Sequence, residues 1–550
     1  MRLTLRLFSS VVQKRPFYVT TPIFYVNAAP HLGHLYTALV ADAVQRFEKL
    51  TNPHYEIIFS TGTDEHGTKV QQAAAKANLS LAEYCANISS EYASLFRDFG
   101  VEYTDYVRTT EERHKKAVRH FWKELVDRDF IYKANYSGWY SVNDESFVPE
   151  SHVKDEVRNG ETVKVSLESG HRVEWTEEIN YMFRLSAFKN DLQEWLKNDG
   201  VITPSKYQKQ LQEMLENSTH LPDISVSRPA SRVHWAIRVP DDEEQSIYVW
   251  LDALVNYLTA AGFPAARAWP ADLHVVGKDI LKFHGIYWPA FLLAARLRPP
   301  RRVLCHAHWT AAGVKMSKSL HNAVCPRAAP AAAHALRYLL LREATMAQDA
   351  NYSETKLINV ANSELADTLG NLASRCCGAA LNPRQEFPAL HAQELLQCSL
   401  NDVTVRLLDA AERMPDLCHT HYRNYQFYKA VDEVIHVLHL ANLFFETHKP
   451  WELRKQVENQ KHLDVILHIT METLRISGII LQPIIPDLST KLLDKLQIPK
   501  DKRYWKDCER PSWKIKGAIH ETKNIQSGKF VLFQRIYTDK NNVQKKKASA

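Results

Sequence analysis

The sequence has no pair of cysteines at the spacing of a structural zinc site. Its eight cysteines are scattered over 550 residues, and no two of them are separated by two residues. Zinc knuckles require closely spaced thiolates, so the sequence predicts no zinc and no other bound metal. Scattered cysteines in a large chain indicate reduced thiols in a reducing compartment.

Long hydrophobic runs are also missing. No stretch approaches the roughly 18 apolar residues of a membrane span, although 45% of the residues are hydrophobic. Together with 24% charged residues, this composition predicts a globular protein that does not interact with a membrane. The length predicts three or four domains. The net charge of +6 permits a polyanionic partner without requiring one.

Acidic residues are absent from the beginning of the chain, where the first is Asp42. Before it, leucines, valines and two serines are mixed with four basic residues, Arg2, Arg6, Lys14 and Arg15. This pattern is typical of a mitochondrial transit peptide, which we predict over residues 1–16, with the mitochondrial matrix as the destination. A frayed basic terminus is the alternative. A secretory signal fits worse because arginines interrupt the apolar stretch.

The distribution of apolar residues predicts an α/β domain followed by a helical bundle. Strand and helix patterns alternate in two separate regions, as in a parallel sheet with crossover helices, and a β-rich insertion lies between them. Later apolar residues recur at the three- and four-residue spacing of packed helices. The predicted regions are a first sheet half at 17–129, the insertion at 130–235, a second sheet half at 236–309, a connecting region at 310–356, the bundle at 357–536 and a disordered basic tail at 537–550.

Four strand predictions matter for the site. They are Tyr55–Ser60 with a following loop to Gly67, Ile247–Leu251, Leu273–Val276 and Val303–Trp309, all rich in β-branched or aromatic residues. Parallel strands end at the same edge of a sheet, so the residues after each strand are expected to come together there.

The string His31-Leu32-Gly33-His34 lies between a predicted strand and a predicted helix. A strand-to-helix turn offers free backbone amides and the positive helix end, which suit a phosphate group. Gly33 allows a base or ribose to approach the backbone, and both imidazoles can donate hydrogen bonds to the phosphate. Taken alone, the string fits a capped loop with surface histidines better.

The string Lys315-Met316-Ser317-Lys318-Ser319 follows the last predicted strand. A loop with two lysines and small hydroxyl residues can close over a triphosphate and neutralise the charge of departing pyrophosphate. A solvated basic loop is the simpler explanation of this string alone. The two strings occur in this order about 280 residues apart and at sheet edges, which favours an ATP site.

With these two strings, the chain resembles the class I methionyl-tRNA synthetases, in particular their mitochondrial and bacterial-like form. The resemblance extends from about Phe17 to Ile536. Its further strings are Tyr18-Val-Thr-Thr-Pro-Ile-Phe-Tyr-Val-Asn27, Thr61-Gly-Thr-Asp-Glu-His-Gly67, Glu174-Trp175, Tyr181-Met-Phe-Arg-Leu-Ser186, Val249-Trp-Leu-Asp-Ala253, Gly277-Lys-Asp-Ile280, Phe283-His284 and Lys449-Pro-Trp451. It implies a Rossmann-like catalytic domain, a β-rich insertion and an α-helical anticodon-binding bundle.

The resemblance also implies roles for individual residues. Methionine would be bound by Ile23, Tyr25, Asp64, Trp250, Ala253, Tyr257, Asp279 and His284. ATP would be bound by His31, Gly33, His34, Gly277, Lys315, Ser317 and Lys318. The catalytic group would comprise His31, His34, Lys315, Lys318 and Arg228. Aromatic walls suit a thioether, and Asp64 would hold the α-ammonium group, although Ile23 and Trp250 also fit a plain core and Asp64 fits a helix cap.

Further implications concern the reaction and its partners. Methionine and Mg·ATP would form methionyl-adenylate, and methionine would then pass to the 2′-hydroxyl of the terminal adenosine of tRNA(Met). The anticodon would contact Asn371, Arg375 and Trp451, since an amide and a guanidinium can read base edges and an indole can stack on a base. Packing within the bundle is the alternative for Asn371 and Trp451. No appended dimerisation module is recognisable, so a monomer is expected.

The chain departs from the family pattern at several points. Cysteine knuckles, which many members carry in the insertion, are missing. Leu320-His321-Asn322 replaces the usual Gly-Asn after the lysine string, Ala236 replaces a glycine, and Asp367 replaces an asparagine. Ala236 would be strained if that glycine takes positive φ, and Asp367 adds a negative charge near the expected anticodon surface.

Three other functions compete with this interpretation. A different class I synthetase would need either a large editing insertion, for which there is no room, or a thiolate zinc site. A smaller nucleotidyl transferase with the same histidine string would not need the helical half. A catalytically silent RNA-binding relative is the third alternative, and the presence of both histidines and both lysines argues against it.

Overall fold

The structure, a computed structural model, describes residues 15–141, 146–148, 150–158, 161–167, 169–217, 221–265, 268–311, 313–316, 323–329, 333–390, 392–515 and 522–537. Most of the predicted transit peptide and of the basic tail therefore lies outside the described residues. The same holds for Ser317, Lys318 and the turn at His321.

The first half of the catalytic region alternates strands and helices as predicted. Its elements are β1 (Phe17–Thr20), β2 (Phe24–Tyr25), α1 (Leu32–Thr51), β3 (Ile57–Asp64), α2 (Thr68–Lys76), α3 (Leu81–Asp98), β4 (Asp105–Arg108) and α4 (Glu112–Asp127). Strand β3 is longer than predicted, because the first part of the expected loop continues the buried strand to Asp64.

The middle of the chain is rich in strands, as expected for the insertion. Its elements are β5 (Ile131–Ser141), β6 (Ser146–Val148), β7 (Val153–Arg158), β8 (Glu161–Ser166), β9 (Glu174–Phe183), α5 (Lys189–Leu196), β10 (Ile202–Thr203), α6 (Ser205–Asn217), β11 (Ile224–Ser225), β12 (Ser227–Pro229), β13 (Arg238–Val239) and β14 (Asp242–Ile247). Strands β11, β9, β5 and β6 form one antiparallel sheet.

The second half of the catalytic region supplies the remaining strands. Its elements are α7 (Val249–Ala260), β15 (Leu273–Gly277), a π-helical turn (Phe283–Tyr287), α8 (Trp288–Ala294), β16 (Val303–His306), β17 (Trp309–Ala311), β18 (Val314–Lys315), α9 (Ala333–Glu343) and β19 (Ala350–Tyr352). The strand predicted at Ile247–Leu251 is wrong in its second part, which begins α7. The strand predicted at Val303–Trp309 is divided between two sheets.

Parallel pairing builds the central sheet in the order β10-β16-β15-β1-β3, with β2 and β4 also paired to β3. Strand β10 lies in the region predicted as insertion, yet it pairs with β16. Strand β1 has β3, which follows it through α1, as its neighbour on one side. Its neighbour on the other side is β15. Such a reversal of strand order leaves a crevice beyond the carboxyl ends of the strands.

The last part of the chain is helical. Its elements are α10 (Glu354–Val360), a π-helical segment (Ala361–Gly370), α11 (Asn371–Cys377), β20 (Glu386–Phe387), α12 (Ala392–Cys398), α13 (Asp402–Arg423), α14 (Phe427–His448), α15 (Pro450–Leu453), α16 (Gln460–Ile480), α17 (Pro486–Lys495) and β21 (Lys523–Asn524). Among the described helices, none is both long and apolar enough to span a bilayer.

A continuous apolar core joins the sheet to the bundle. It includes Leu39 of α1, Leu340 of α9, Val434 of α14 and Leu474 of α16, all fully buried. A buried ion pair reinforces this junction. Arg337 of α9 contacts Asp42 of α1 at 2.5 Å and also donates to the carbonyls of Pro483 and Ile484. The catalytic region and the bundle are therefore packed as one body.

Candidate active site

The crevice at the reversal of strand order holds a cavity of about 340 Å³. Segments that follow β1 and β15 line it, together with the end of β3, the start of α1 and the start of α7. Twelve of the predicted site residues are among its walls: Ile23, Tyr25, His31, Gly33, His34, Asp64, Trp250, Ala253, Tyr257, Gly277, Asp279 and His284. The fold thus brings residues far apart in sequence into one site.

The two histidines of the first string cap α1. His31 is the N-cap residue, and its Nδ1 accepts a hydrogen bond from the Gly33 amide at 3.1 Å. The Nδ1 atom of His34 accepts one from the His31 amide, also at 3.1 Å, and lies 3.1 Å from the Tyr92 hydroxyl. The two rings stack with centroids 3.7 Å apart.

These hydrogen bonds determine the tautomer of both rings. Since each Nδ1 accepts from a backbone amide, a neutral ring must carry its hydrogen on Nε2. His31 and His34 therefore each provide an Nε2–H donor at the N-terminus of a 20-residue helix. Two donors and the positive helix end together suit a phosphate group.

Two glycines keep the cavity wall close to the backbone. A Cβ atom on Gly33 would lie 3.0 Å from the His31 ring, so a side chain would disturb the stacked pair. A Cβ atom on Gly277, at the end of β15, would lie 2.7 Å from the Asp279 carboxylate. A side chain at either position would therefore displace a group that lines the cavity.

The other side of the cavity is aromatic. Trp250, in the first turn of α7, stacks on Phe283 with ring centroids 3.6 Å apart. The Tyr257 hydroxyl, two turns later on α7, lies 2.7 Å from His284 Nε2. Ile23 and Ala253 are nearly buried and pack together. These walls form a pocket for an apolar, polarisable group.

His284 is held in one orientation by the π-helical turn. Its Nδ1 donates to the Ile280 carbonyl at 2.9 Å, the carbonyl that the amide of residue 284 would bond in an α-helix. Its Nε2 therefore accepts the hydrogen of Tyr257. Burial lowers the pKa of His284 to about 4 and raises the pKa of Tyr257 well above its usual value. The pair is neutral near pH 7.

Buried acidic groups support the polar side of the site. Asp64, at the end of β3, is almost buried and borders the cavity. Nearby, the Asp252 carboxylate of α7 binds His66 at 2.6 Å and His114 at 2.8 Å. Burial alone would raise the pKa of Asp252, but the two imidazoles lower it to about 2. Asp252 thereby ties α7 to the loop that follows Asp64.

Family models match most of the chain. The one described as "tRNA synthetases class I (M)" matches residues 17–377. The one described as "Anticodon binding domain of methionyl tRNA ligase" matches residues 401–549. The chain belongs to the methionyl-tRNA synthetase family. The predicted fold class, a Rossmann-like catalytic domain with a helical anticodon-binding domain after it, is confirmed.

Individual methionyl-tRNA synthetases are similar over nearly their full length. The mitochondrial methionine–tRNA ligase of Homo sapiens is 46% identical over 503 residues, 88% of this chain and 84% of the relative. That of Takifugu rubripes is 43% identical over 97% of this chain and 92% of its own. The solved structure of the Mycobacterium tuberculosis synthetase in complex with methionyl-adenylate gives a TM-score of 0.86 at 35% identity, covering 95% of this chain and 100% of that one.

Three predicted catalytic residues of the synthetase are not seen at the cavity. Arg228 is buried away from it, where its guanidinium donates to Ser225 and to the Ser227 carbonyl and lies 4.4 Å from the Tyr248 ring centre. The backbone of Lys315 is in β18, and Lys318 lies outside the described residues. Met316, between the two lysines, is buried and lines the cavity.

Several cavity residues were missed by the sequence reasoning. They are Lys69, Asn256, His306, His308, Trp309 and Met316. The chain leaves the sheet after His306, and His308 binds Asp279 at 3.1 Å. Two buried polar atoms at the cavity, Asn256 Oδ1 and Trp309 Nε1, have no hydrogen-bond partner within the described part of the chain. The available signal was a pair of histidines, His306 and His308, near the C-terminal end of the segment predicted as a strand.

The three predicted anticodon residues of the synthetase lie close together on the bundle. The Arg375 guanidinium is 5.4 Å from the Trp451 ring centre and binds Glu446 at 2.5 Å. Asn371 lies one turn before Arg375 on α11 and is exposed, so the two share a face. An amide, a cation and an indole on one surface suit unstacked bases.

Two departures from the family pattern are accommodated locally. Ala236 is not among the residues with positive φ, so the strain considered above does not arise. Asp367 forms an ion pair with Arg535 at 2.5 Å, which offsets its charge on the bundle surface.

Proposed function

We propose that this chain is a mitochondrial methionine–tRNA ligase. It activates L-methionine with ATP, releases pyrophosphate and transfers methionine to tRNA(Met), with the matrix as its compartment. The observation that carries the proposal is a single cavity in which the His31–His34 donors meet a neutral, aromatic pocket. Family membership and the relatives named above support the same reaction.

The pocket fits the methionine side chain. A thioether has no charge and no hydrogen to donate, and it is favoured beside aromatic rings. The Tyr257 hydroxyl and His284 already satisfy each other, so an apolar side chain in the pocket leaves neither of these two groups without a partner. A glutamine side chain would bring amide hydrogens into this pocket and lose its bonds to water. We assign the α-ammonium group to Asp64.

The phosphate side fits an in-line displacement. The methionine carboxylate attacks the α-phosphorus of ATP, which arrives with Mg²⁺ as a substrate complex, and pyrophosphate leaves. A carboxylate needs no general base, so catalysis rests on positioning and on stabilisation of charge. His31 and His34 donate from Nε2 to the phosphates, and Lys315 and Lys318 supply positive charge when their loop closes.

The second step passes methionine from the adenylate to the 2′-hydroxyl of the terminal adenosine of tRNA(Met). Asn371, Arg375 and Trp451 bind the anticodon of the same tRNA. The proposed active unit is a monomer, since the cavity and the predicted anticodon face are both formed within one chain.

Methionine-dependent exchange of pyrophosphate into ATP tests the first step. We expect exchange with methionine and none with glutamine or leucine. Exchange supported only by another amino acid would overturn the substrate, and no exchange with any amino acid would favour a silent RNA-binding relative.

Trp451→Ala tests the assignment of the anticodon surface. Removing the indole should weaken charging of tRNA(Met), because one base loses a stacking contact of about 1–3 kcal/mol, while pyrophosphate exchange is unchanged. Equal loss of both activities would mean that Trp451 serves the core instead. Leu443→Ala, which removes an exposed apolar side chain of α14, is the control.

A further inference from the structure

Three metal-binding side chains meet at one end of the helical bundle. Cys398 is the last residue of α12, His448 is the last residue of α14, and His462 lies in the first turn of α16. One ligand atom of each lies within 4.8 Å of the others. Cys398 is buried, and the two histidines are half-buried.

The spacing between Cys398 and His462 is close to that of a zinc site. Zinc binds sulfur at about 2.3 Å and imidazole nitrogen at about 2.0–2.1 Å in tetrahedral geometry, so a sulfur and a nitrogen on one ion are about 3.5 Å apart. Cys398 Sγ is 3.7 Å from His462 Nδ1 and 3.9 Å from its Nε2. The sulfur lies almost equally far from both nitrogens, so the ring must rotate about its side-chain bonds to direct one lone pair at the ion.

Neighbouring side chains complete the arrangement. The Thr404 hydroxyl lies 2.9 Å from His448 Nε2, which leaves Nδ1 of that ring for the cluster. Zinc-binding histidines commonly bond a second group through their other nitrogen. Glu394 lies one turn before Cys398 on α12 and interacts electrostatically with both Cys398 and His462. Its carboxylate is not one of the groups within 4.8 Å, but its negative charge favours a cation at this place.

Other buried cysteines of the bundle are placed differently. The thiols of Cys376, Cys418 and Cys508 donate to backbone carbonyls, those of Ala373, Ala430 and Trp505. Cys398 faces an imidazole instead. A thiol that is merely packed has no need of two histidines from separate helices, whereas a thiolate–imidazole set selects zinc among the abundant divalent ions.

We propose that Cys398, His448 and His462 bind one zinc ion, with water in the fourth position. On binding, the Cys398 thiol releases its proton to solvent. The ion would join the ends of α12, α14 and α16. Directly after His448 the chain turns at Lys449, which has positive φ, and enters α15. The site thus fixes the corner that carries Trp451, and this consequence rests on the proposed anticodon role.

Metal analysis of the full-length protein tests the site directly. Protein expressed with zinc and dialysed should retain about one zinc per chain, and Cys398→Ser and His462→Gln should each lose it. Cys418→Ser is the matched control, because it removes a buried thiol of the same bundle that faces a carbonyl. Thr404→Val should keep the ligands but weaken zinc binding about 10- to 100-fold.

Cobalt provides a spectroscopic readout in the wild-type protein. Titration of the metal-free wild-type protein with Co²⁺ should give thiolate-to-cobalt absorption that saturates at one equivalent, and Cys398→Ser should abolish this band. Absence of the band in the wild type, or full zinc retention in Cys398→Ser, would overturn the site. Loss of zinc should weaken tRNA charging and spare pyrophosphate exchange. Unchanged charging in zinc-free protein would overturn the link to Trp451.

Discussion

The two nitrogens of His34 have separate tasks, and substitution can remove one task at a time. Nδ1 accepts the His31 amide and so holds the cap of α1, whereas Nε2–H is the proposed donor to the phosphate. Asparagine places an acceptor oxygen near the position of Nδ1 but has nothing at Nε2. Glutamine can place an amide donor near Nε2 but loses the acceptor beside the backbone. His34→Asn and His34→Gln therefore form a matched pair.

His34→Asn is expected to lower the catalytic rate, whereas His34→Gln is expected to lower the stability. Removing one donor to developing negative charge lowers kcat by about 10²–10³, or about 2.7–4 kcal/mol of transition-state stabilisation. His34→Asn should show this loss in methionine-dependent pyrophosphate exchange, with a melting temperature close to that of the wild type. His34→Gln should retain most of the rate. It should lose about 1 kcal/mol of stability, because the cap of α1 is broken.

Exchange rates and thermal unfolding of both variants are the measurements. Tyr92→Phe is the control, since it removes a hydroxyl beside Nδ1 and leaves Nε2 in place. If His34→Asn kept its rate within about threefold, less than 1 kcal/mol, Nε2 would not serve the reaction. If both variants lost rate and stability together, His34 would act only through folding.

Three further predictions concern methionine, pH and the domain junction. Asp64→Asn should raise the methionine KM roughly 10- to 150-fold, because a charge-assisted hydrogen bond is worth about 1.5–3 kcal/mol. The ATP KM should be unchanged. Equal effects on both KM values would contradict the assignment of the α-ammonium group to Asp64. Methionine affinity, measured by calorimetry, should be flat from about pH 5 to 8, because the Tyr257–His284 pair stays neutral and the α-ammonium group of methionine keeps its charge. The pKa of His284 falls from 6.5 in the unfolded chain to about 4 in the folded protein. The free energy of unfolding should therefore decrease as the pH drops from 6.5 to 4. An increase would contradict the burial of His284 as a neutral imidazole. Arg337→Met should lower the free energy of unfolding, measured with denaturant, by about 3–5 kcal/mol, because Asp42 stays buried beside fewer cations. The control Arg327→Met breaks the exposed pair with Asp98 and should lower it by less than about 1 kcal/mol.

The sheet and the bundle were predictable because their patterns are local. Strands β1, β3 and β15 are short apolar runs, and each long helix of the bundle repeats its apolar residues with helical period. The start of α7 was not predictable in this way. Its residues from Leu251 to Thr259 are all buried, so no polar face reveals the helical period, and its first residues resemble a strand.

The site residues were predictable where they belong to short sequence motifs. The residues of both pocket walls were predicted from motifs of the family. Without the family resemblance, only the histidine and lysine motifs were recognised. His306 and His308 were missed because Val303–Trp309 was interpreted as one strand, whereas the chain leaves the sheet after His306. Cys398, His448 and His462 were missed because their sequence separations match no zinc string. Only the packing of α12, α14 and α16 brings them together.

The cavity and the proposed anticodon surface are connected through α1. This helix presents His31 and His34 at its first turn and, two turns later, buries Asp42 against Arg337, which in turn binds the Pro483 and Ile484 carbonyls of the bundle. A continuous apolar core surrounds this connection. Because a packed core deforms little, the distance from the histidines to Trp451 is set by packing rather than by a linker. A tRNA bound at Trp451 would therefore present its other end at a fixed place relative to the cavity, which requires the corner at Trp451 to be as rigid as the core.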